Sequence, residues 1–326
     1  MYKRISISFL AASLLAQPIA YAHEVVGSSV LDGFSGFLSP DWSKDFSVTA
    51  GTKVWLNDWS LDRFLSSGFT TPTLSALAID SAPDSLESDQ EAVPIPQLSV
   101  RYKWLFATGS YYSKTDFEFD DLRSSIEAAS PTARVRADAL FQITGERYEW
   151  DAAGGIYVHP YVAILGGYKK VRQGVDSAVA IDLNVNGINS RQTANLFSDV
   201  DVEGPTIGIA ASVPIQSGFG IYASYAHGFM DAELRDVNES LGAALAAQLR
   251  VNRDFRARDT DATYDVAEGG ISYTYGTKAL LPHMPLSAAT AYAGYRYQHI
   301  STEFDEPVQD RSDVTRGFAV GVNLTF

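Results

Sequence analysis

The C-terminal stretch TRGFAVGVNLTF (Thr315–Phe326) alternates between two kinds of residue. From Phe318 onward the even-numbered residues are large and apolar, whereas the odd-numbered residues from Gly317 to Thr325 are small or polar. Because successive side chains of a strand point to opposite faces, this pattern predicts a β-strand with one apolar face. The alternation alone does not distinguish a soluble sheet from a sheet that spans a membrane.

The same alternation recurs along the chain, and the predicted connections are short and long in turn. Ten strands are predicted, near residues 46–58, 95–104, 106–117, 146–158, 161–174, 201–214, 219–232, 262–275, 289–302 and 315–326. The long connections are predicted at residues 59–94, 118–145, 175–200, 233–261 and 303–314. Strands of about ten residues or more have the length that crosses a bilayer at a tilt.

The N-terminus predicts export. Lys3 and Arg4 precede the apolar run 5–16, and Ala20-Tyr21-Ala22 fits a cleavage site, so residues 1–22 are predicted to be a signal peptide. No later stretch of 18 uncharged apolar residues occurs, which argues against a transmembrane helix. Removing residues 1–22 leaves 23 bases against 39 acids, a net charge of −16.

Composition excludes several classes of protein. The 326-residue chain has no cysteine, which excludes a disulfide scaffold and a cysteine-ligated metal site. Its formal net charge of −14 argues against nucleic acid as a partner, because phosphate binding requires an excess of cations. We therefore predict no nucleic-acid partner.

The terminal aromatic residue carries a resemblance. Phe326 closes the apolar face of the last strand, and this ending resembles the C-terminal signature of Gram-negative outer-membrane β-barrels. The resemblance implies location in the bacterial outer membrane, in contact with outer-membrane lipid and lipopolysaccharide. It also implies that Phe326 is an assembly signal, through which the C-terminal strand is recognised by the barrel-assembly machinery. The oligomeric state is not predicted.

The predicted fold is all-β, a transmembrane antiparallel up-and-down β-barrel of about ten strands with long extracellular loops. Twelve strands are the alternative, since residues 137–144 could add strand length, and eight are less favoured. Residues 46–326 would form the barrel, and residues 23–45 a periplasmic lead-in or a short plug. Two stretches in the loops favour helices, namely Asn238 followed by Leu241, Leu245 and Leu249, and more weakly residues 121–129.

Charged residues on the complementary strand faces are predicted to point into the lumen. They are Lys53, Arg101, Lys103, Arg147, Glu149, Asp151, Lys169, Glu268 and Arg296. These six bases and three acids are expected to pair across the lumen, since an eight-stranded barrel is just filled by side chains and ten strands add little room. Small inward residues such as Gly208 and Gly321 would leave space for a solute path or a plug.

A surplus of lumenal cations favours, as the leading functional hypothesis, a narrow, porin-like channel for small solutes, anions among them. The alternative is a non-conducting barrel that displays its loops for adhesion or partner binding. A hydrolase at the rim ranks third.

The sequence contains no motif that predicts catalysis, and we therefore predict that the chain is not an enzyme. His227 and His299 lie near the predicted outer rim, where omptin proteases, which also have ten strands, carry an Asp-x-His element. Tyr225-Ala226 and Tyr297-Gln298 precede these histidines, so the resemblance ends at the strand count. No G-x-S-x-G elbow, glycine-rich phosphate loop or H-E-x-x-H occurs, and no cofactor or metal is predicted.

Overall fold

The computed structural model describes residues 45–62, 85–129, 134–237, 258–276, 286–303 and 311–326. The predicted signal peptide, the predicted segment 23–45 apart from Asp45, and the predicted helix after Asn238 lie outside these residues. Among the residues that are described, no helix is long and apolar enough to cross a membrane.

The described residues form twelve strands, all paired antiparallel. They are β1 (Phe46–Asp62), β2 (Ser85–Glu87), β3 (Glu91–Tyr102), β4 (Leu105–Glu118), β5 (Leu122–Ala129), β6 (Arg134–His159), β7 (Val162–Val185), β8 (Ile188–Gln216), β9 (Phe219–Val237), β10 (Arg258–Gly276), β11 (Ala288–Thr302) and β12 (Arg311–Thr325).

Ten of these strands close into a barrel. Their order around the wall is β1, β3, β4, β6 and then β7 to β12, and β12 pairs back onto β1 with Val54 opposite Val320. The short strand β2 pairs with the end of β1, and β5 pairs with the beginning of β6. The predicted all-β, ten-stranded up-and-down barrel is confirmed.

The wall has an apolar outer face and a polar inner face. In β12, Phe318 is 62% exposed on the outside whereas its neighbour Ala319 is completely buried. Large apolar side chains are exposed on most of the barrel strands, among them Phe46, Leu98, Val100, Ile156, Val158, Ile164, Ile207, Ile209, Val213, Ile221, Ile271, Val320 and Val322. A continuous exposed apolar surface of this kind exceeds what a water-soluble monomer presents, and it matches the lipid-facing band of a membrane barrel.

Short turns lie at one end of the barrel, together with the C-terminus; we call this the turn end. Ser217 and Gly218 connect β8 to β9 with φ angles of 53° and 88°, as a type I′ hairpin turn requires. At the opposite end, which we call the hairpin end, Asn186 and Gly187 connect β7 to β8 with φ angles of 52° and 89°. Both pairs contain a glycine at the second central position, where a positive φ is required.

Two predicted long connections are largely strand. Residues 118–145 contain β5 and the first part of β6, so the weak helix prediction for residues 121–129 is wrong. Residues 175–200 complete β7 and begin β8, which remain paired up to the Asn186-Gly187 turn. The strands continue because each finds a hydrogen-bonding partner beyond the apolar band, and an Asn-Gly pair between them favours a tight hairpin.

The hydrogen bonding between β3 and β4 is confined to the turn end. Gln97–Tyr102 pair with Leu105–Ser110, whereas Pro94 and Pro96 pair only with β1. Proline has no N–H to donate to a sheet, so it is tolerated where a strand lacks a neighbour on one side. The two prolines explain why β3 and β4 separate toward the hairpin end.

The seam between β12 and β1 supplies a test of the fold. A Cβ added at Gly317 would lie 1.8 Å from the carbonyl oxygen of Leu56, whereas one added at Gly166 would lie 3.7 Å from that of Thr206. Gly317→Ala should therefore lower the free energy of unfolding by about 1–3 kcal/mol, as overpacking does. Gly166→Ala is the matched control and should unfold like the wild type.

The measurement is urea unfolding of the two variants refolded into lipid vesicles, read by tryptophan fluorescence. Equal stability of Gly317→Ala and Gly166→Ala would contradict the β12–β1 pairing described above.

Candidate functional site

Eight of the nine side chains predicted to face the lumen lie in the interior of the barrel. Their relative exposures are 3% or less, and four of them are completely buried. The eight are Lys53 on β1, Arg101 on β3, Arg147, Glu149 and Asp151 on β6, Lys169 on β7, Glu268 on β10 and Arg296 on β11. All except Arg101 belong to one connected region, because each contacts a charged or aromatic neighbour within it.

Lys103 is the exception, and the prediction for it is wrong. It lies in the turn between β3 and β4 with a φ of 53°, and its side chain is exposed. The alternation of faces holds only while the backbone is extended, so it fails at the first turn residue. Arg101 is buried nearby, where its guanidinium donates to the carbonyl oxygen of Lys103 at 2.9 Å and to Ser47 Oγ at 3.3 Å.

Glu149 is the centre of the interior cluster. Its Oε1 accepts from Arg147 Nε at 2.7 Å, and its Oε2 lies 2.6 Å from Lys169 Nζ. Gln298 Nε2 also donates to Glu149 Oε1 at 3.0 Å. Asp151 extends the cluster, since its Oδ2 lies 3.8 Å from Lys169 Nζ and accepts from Ser110 Oγ at 2.8 Å.

A second acid, Glu268, neutralises the cations on the other side of the interior. Its Oε2 lies 3.0 Å from Lys53 Nζ and 3.5 Å from Arg296 NH1. Arg296 in turn donates to Gln298 Oε1 at 3.5 Å, which connects this group to Glu149. Four cations and three acids therefore share one network, whose formal net charge is +1.

Aromatic rings cover the cations toward the hairpin end. The guanidinium of Arg296 lies 4.9 Å from the ring centroid of Trp55, and Lys169 Nζ lies 5.2 Å from that of Tyr264. Arg147 lies 5.8 Å from the ring of Trp59. A cation that is shielded from water is attracted to the negative face of a ring, so these contacts add to the ion pairs.

Tyrosines fill the space that glycines leave toward the turn end. A Cβ added at Gly321 would lie 2.4 Å from Tyr292 Cζ, and one added at Gly294 would lie 2.1 Å from the Tyr222 hydroxyl. The two tyrosines contact each other edge to face, with centroids 6.3 Å apart. Gly321, which was expected to leave an open path, is therefore covered by the ring of Tyr292.

The network joins opposite walls of the barrel. Gln298 on β11 and Glu149 on β6 lie five strands apart in either direction around the ring. Arg147 also reaches across, because its NH1 donates to Thr315 Oγ1 on β12 at 2.6 Å. Side chains of opposite strands therefore meet across the full width of the interior at this level.

The outer face carries a second group of ionisable residues. Asp265 on β10 lies in register between His227 on β9 and His299 on β11. His227 Nδ1 lies 2.9 Å from Asp265 Oδ1, which also accepts from the Tyr225 hydroxyl at 2.5 Å. His299 Nε2 lies 2.8 Å from Ser312 Oγ on β12. We call these residues (Tyr225, His227, Asp265, His299 and Ser312) the outer row.

Exposed aromatic residues surround the outer row. Phe229, which contacts His227 edge to face at 4.8 Å, is 63% exposed, and Tyr225 and Tyr297 are more than 40% exposed. Tyr and Trp concentrate where a bilayer meets water, since the ring can be half buried while its polar group is wetted. The outer row therefore lies at the boundary between the apolar band and water.

Asp265 and Ser312 are functional candidates that were not predicted from the sequence. Neither is near a histidine in the chain, so only the strand register brings them to His227 and His299. One signal was available for Asp265, because alternation places it on the apolar face of a predicted strand, opposite to Glu268. A charge on a lipid-facing surface is costly unless it is close to the interface or has a role.

An apolar exterior around a paired, charged interior inverts the arrangement of a water-soluble sheet. The chain has the fold of an outer-membrane β-barrel. Both ends of the barrel domain lie at the turn end, which in this class faces the periplasm, so the hairpin end is extracellular. The apolar exterior of this barrel supports the predicted location in the bacterial outer membrane.

Comparisons with solved structures return other barrels of this class. The outer-membrane protease OmpT from Escherichia coli is 9% identical, with a TM-score of 0.47 over 86% of this chain and 97% of that chain. Neisserial surface protein A is 10% identical, with a TM-score of 0.29 over 87% and 98% of the two chains. A Pseudomonas aeruginosa FadL homologue is 10% identical, with a TM-score of 0.30 over 87% and 90%.

No model of a known protein family matches the sequence, and no curated protein matches it. The similar structures include a protease, a surface protein and hydrocarbon channels. Likeness at these identities concerns the fold and does not extend to activity.

The extracellular part of the sheet is fixed by ion pairs between neighbouring strands. Lys170 Nζ lies 2.8 Å from Glu203 Oε2, and Arg172 pairs with Asp199 and Asp201. The hydrogen bond to Asp199 raises the pKa of the Arg172 guanidinium above its usual range. Next to these pairs lies a groove of about 600 Å³, which five carboxylates and a single lysine line together with Ala232 and Thr260.

Glu149 supplies a test of the interior network. Glu149→Gln removes the carboxylate that buried Arg147 and Lys169 share, so the free energy of unfolding should fall by about 3–5 kcal/mol. Glu146→Gln is the matched control, because its carboxylate pairs with Lys114 on the exposed outer surface. It should cause a much smaller loss, since solvent screens exposed pairs.

Urea unfolding in lipid vesicles measures both variants. A double variant, Glu149→Gln with Lys169→Met, should recover part of the loss because it removes the stranded cation. Equal losses for Glu149→Gln and Glu146→Gln would show that the network does not stabilise the barrel.

Proposed function

We propose that this chain is a non-conducting outer-membrane barrel whose function is exerted by the extracellular part of its sheet. The observation that carries the proposal is the Glu149–Gln298 contact, which joins strands on opposite sides of the barrel. The completely buried charges Lys53, Lys169 and Arg296 support it, because a water-filled channel would leave them accessible.

The length of the strands also supports a role at the cell surface. The exposed, stacked rings of Trp150 and Tyr168 mark the outer edge of the apolar band, with centroids 5.9 Å apart. From Tyr168 the strand β7 continues to Val185, which is about 55 Å along the strand at roughly 3.3 Å per residue. A sheet that only spanned the bilayer would end near Tyr168.

The charges on this extracellular part favour one kind of partner. The groove beside Lys170 is lined by Asp201, Glu203, Asp231, Glu233 and Asp261. Such a surface attracts a basic partner and repels an anionic one, since potentials at an interface must be complementary. We therefore propose a basic protein or peptide surface as the partner, rather than a phosphate-rich one.

The narrow anion channel favoured by the sequence is the competing function. It would need a water-filled path past the Glu149 cluster, and a cationic lining to select anions. The pairing of Lys53 with Glu268 and of Lys169 with Glu149 argues against such a lining. Arg101 lies toward the periplasmic end, where it donates to Ser47 Oγ.

Planar-bilayer recording distinguishes the two functions. The purified full-length chain should insert without steady conductance steps, because the paired side chains occupy the width of the lumen. A general porin inserted in the same bilayer is the positive control for detection. Steady steps whose anion preference falls in Lys53→Gln, Arg101→Gln and Arg147→Gln would overturn the proposal in favour of a channel.

The extracellular location of the long hairpins can be tested separately, because the chain contains no cysteine. Ser190→Cys at the hairpin end should react with a membrane-impermeant maleimide on intact cells. Gln216→Cys at the turn end is the matched control, since both native side chains are exposed. It should react only after the cells are permeabilised.

Labelling of Gln216→Cys but not Ser190→Cys on intact cells would reverse the orientation. The long hairpins would then face the periplasm, and a role at the cell surface would be excluded.

A further inference from the structure

We propose that the outer row is an ester-hydrolysing site in which Ser312 is the nucleophile, His299 the general base and Asp265 a positioning residue. The substrate class is an acyl ester carried by an amphiphile of the outer leaflet. This activity goes beyond the surface role proposed above and does not depend on it.

The pair formed by Ser312 and His299 has the geometry of an activated nucleophile. Ser312 Oγ lies 2.8 Å from His299 Nε2, within the reach that proton transfer requires. The two residues come from different strands, β12 and β11, whose register places Ser312 opposite Ser301 and His299 opposite Val314. The contact is therefore fixed by the barrel wall and does not depend on a loop.

Asp265 provides the third group. It lies directly beside His299 in the β10–β11 register, and its carboxylate interacts electrostatically with that histidine. Tyr225 and His227 hold the carboxylate from the other side, and both contacts use Oδ1. A negative charge held beside the general base stabilises the imidazolium that forms when Nε2 takes a proton.

A metal does not account for the outer row. Among the described residues, no group of three histidines and carboxylates has the geometry to hold a metal ion. The hydroxyl contact of His299 also points to proton transfer, because a metal-binding histidine would present that nitrogen to the ion. Ionisable side chains on the outer face of a membrane barrel are costly, which favours a functional reason for three of them in register.

The position of the row defines the substrate class. Phe229, Tyr225 and Tyr297 expose their rings beside it, and the apolar band begins immediately on the periplasmic side. His227 and Asp265 remain about one third exposed, so water reaches them. An ester group at the boundary between acyl chains and water would meet the nucleophile there, while its chain stays in the hydrocarbon.

The reaction balances without a cofactor. Ser312 Oγ attacks the ester carbonyl carbon as its proton moves to His299 Nε2. The bond between that carbon and the alkoxy oxygen then breaks, and His299 returns the proton to the leaving alcohol. A water molecule, deprotonated by His299, attacks the acyl-serine and releases the carboxylic acid and the free Ser312 hydroxyl.

The first experiment labels the nucleophile. The full-length protein, refolded into lipid nanodiscs, is treated with an alkyl fluorophosphonate and analysed by peptide mass spectrometry. Wild type and Ser301→Ala should carry the adduct on Ser312, and His299→Ala should lose at least about 90% of it. Ser301 is a matched control because it lies opposite Ser312 in the register and on the same face.

The second experiment measures turnover of p-nitrophenyl decanoate and p-nitrophenyl acetate. Ser312→Ala and His299→Ala should lower kcat/KM at least about 100-fold, whereas His159→Ala at the periplasmic end should not change it. Asp265→Asn should lower kcat with KM unchanged, and Asp265→Glu should restore part of kcat. The heat-dependent shift of the folded barrel in gel electrophoresis confirms that each variant is assembled.

Each outcome of the two experiments supports or overturns a stated part of the proposal. A decanoate ester preferred at least about tenfold over acetate supports an amphiphilic substrate, and equal turnover of the two overturns that part of the proposal. Absence of the Ser312 adduct in the wild type, or turnover that survives Ser312→Ala, overturns the site itself. Neither result bears on conductance, so the proposed surface function is judged independently.

Discussion

The structure depends on neutralising charges in a space from which water is excluded. Glu149 accepts from Arg147 and lies 2.6 Å from Lys169, and Glu268 does the same for Lys53 and Arg296. Each acid contacts two cations. Removing one acid therefore takes away one negative charge and weakens the neutralisation of two buried positive charges. The Lys53–Glu268 pair joins β1 to β10, and the Gln298–Glu149 hydrogen bond joins β11 to β6, so the same network also holds opposite walls at a fixed separation.

The remaining interior volume is filled by large side chains that pack against small residues. Gly321 and Gly294 leave room on their strands, and Tyr292 and Tyr222 of other strands occupy it. Toward the hairpin end, the ring of Trp55 covers the guanidinium of Arg296. A ten-stranded barrel is wide enough to need such filling and narrow enough for side chains to provide it.

Which side chains face the interior and which face outward could largely be predicted from the sequence, because the side chains of a strand alternate between two faces. That alternation places Lys53 and Trp55 inside and Phe318 outside, as the structure does. It fails at Lys103, where a positive φ ends the extended backbone, and it does not reach Asp265 and Ser312, whose partners depend on the register of neighbouring strands. Pairing beyond the bilayer likewise cannot be predicted from a period, although the Asn186-Gly187 pair is a turn signal that a search for tight hairpins would find.

The interior network and the outer row are built on the same two strands, with opposite parity. On β10 the even-numbered Glu268 faces inward and the odd-numbered Asp265 outward; on β11 the same holds for Gln298 and His299. Shifting the pairing of a strand by one residue moves every side chain to the other face. Such a shift would bury Asp265 without a cation and expose Glu268 to hydrocarbon, so the ion pairs inside also determine which residues meet on the outer surface. A strand register that is fixed by buried ion pairs is therefore sufficient to align His227, Asp265 and His299 without any loop. Because these residues lie on paired strands, the proposed site is as rigid as the barrel wall.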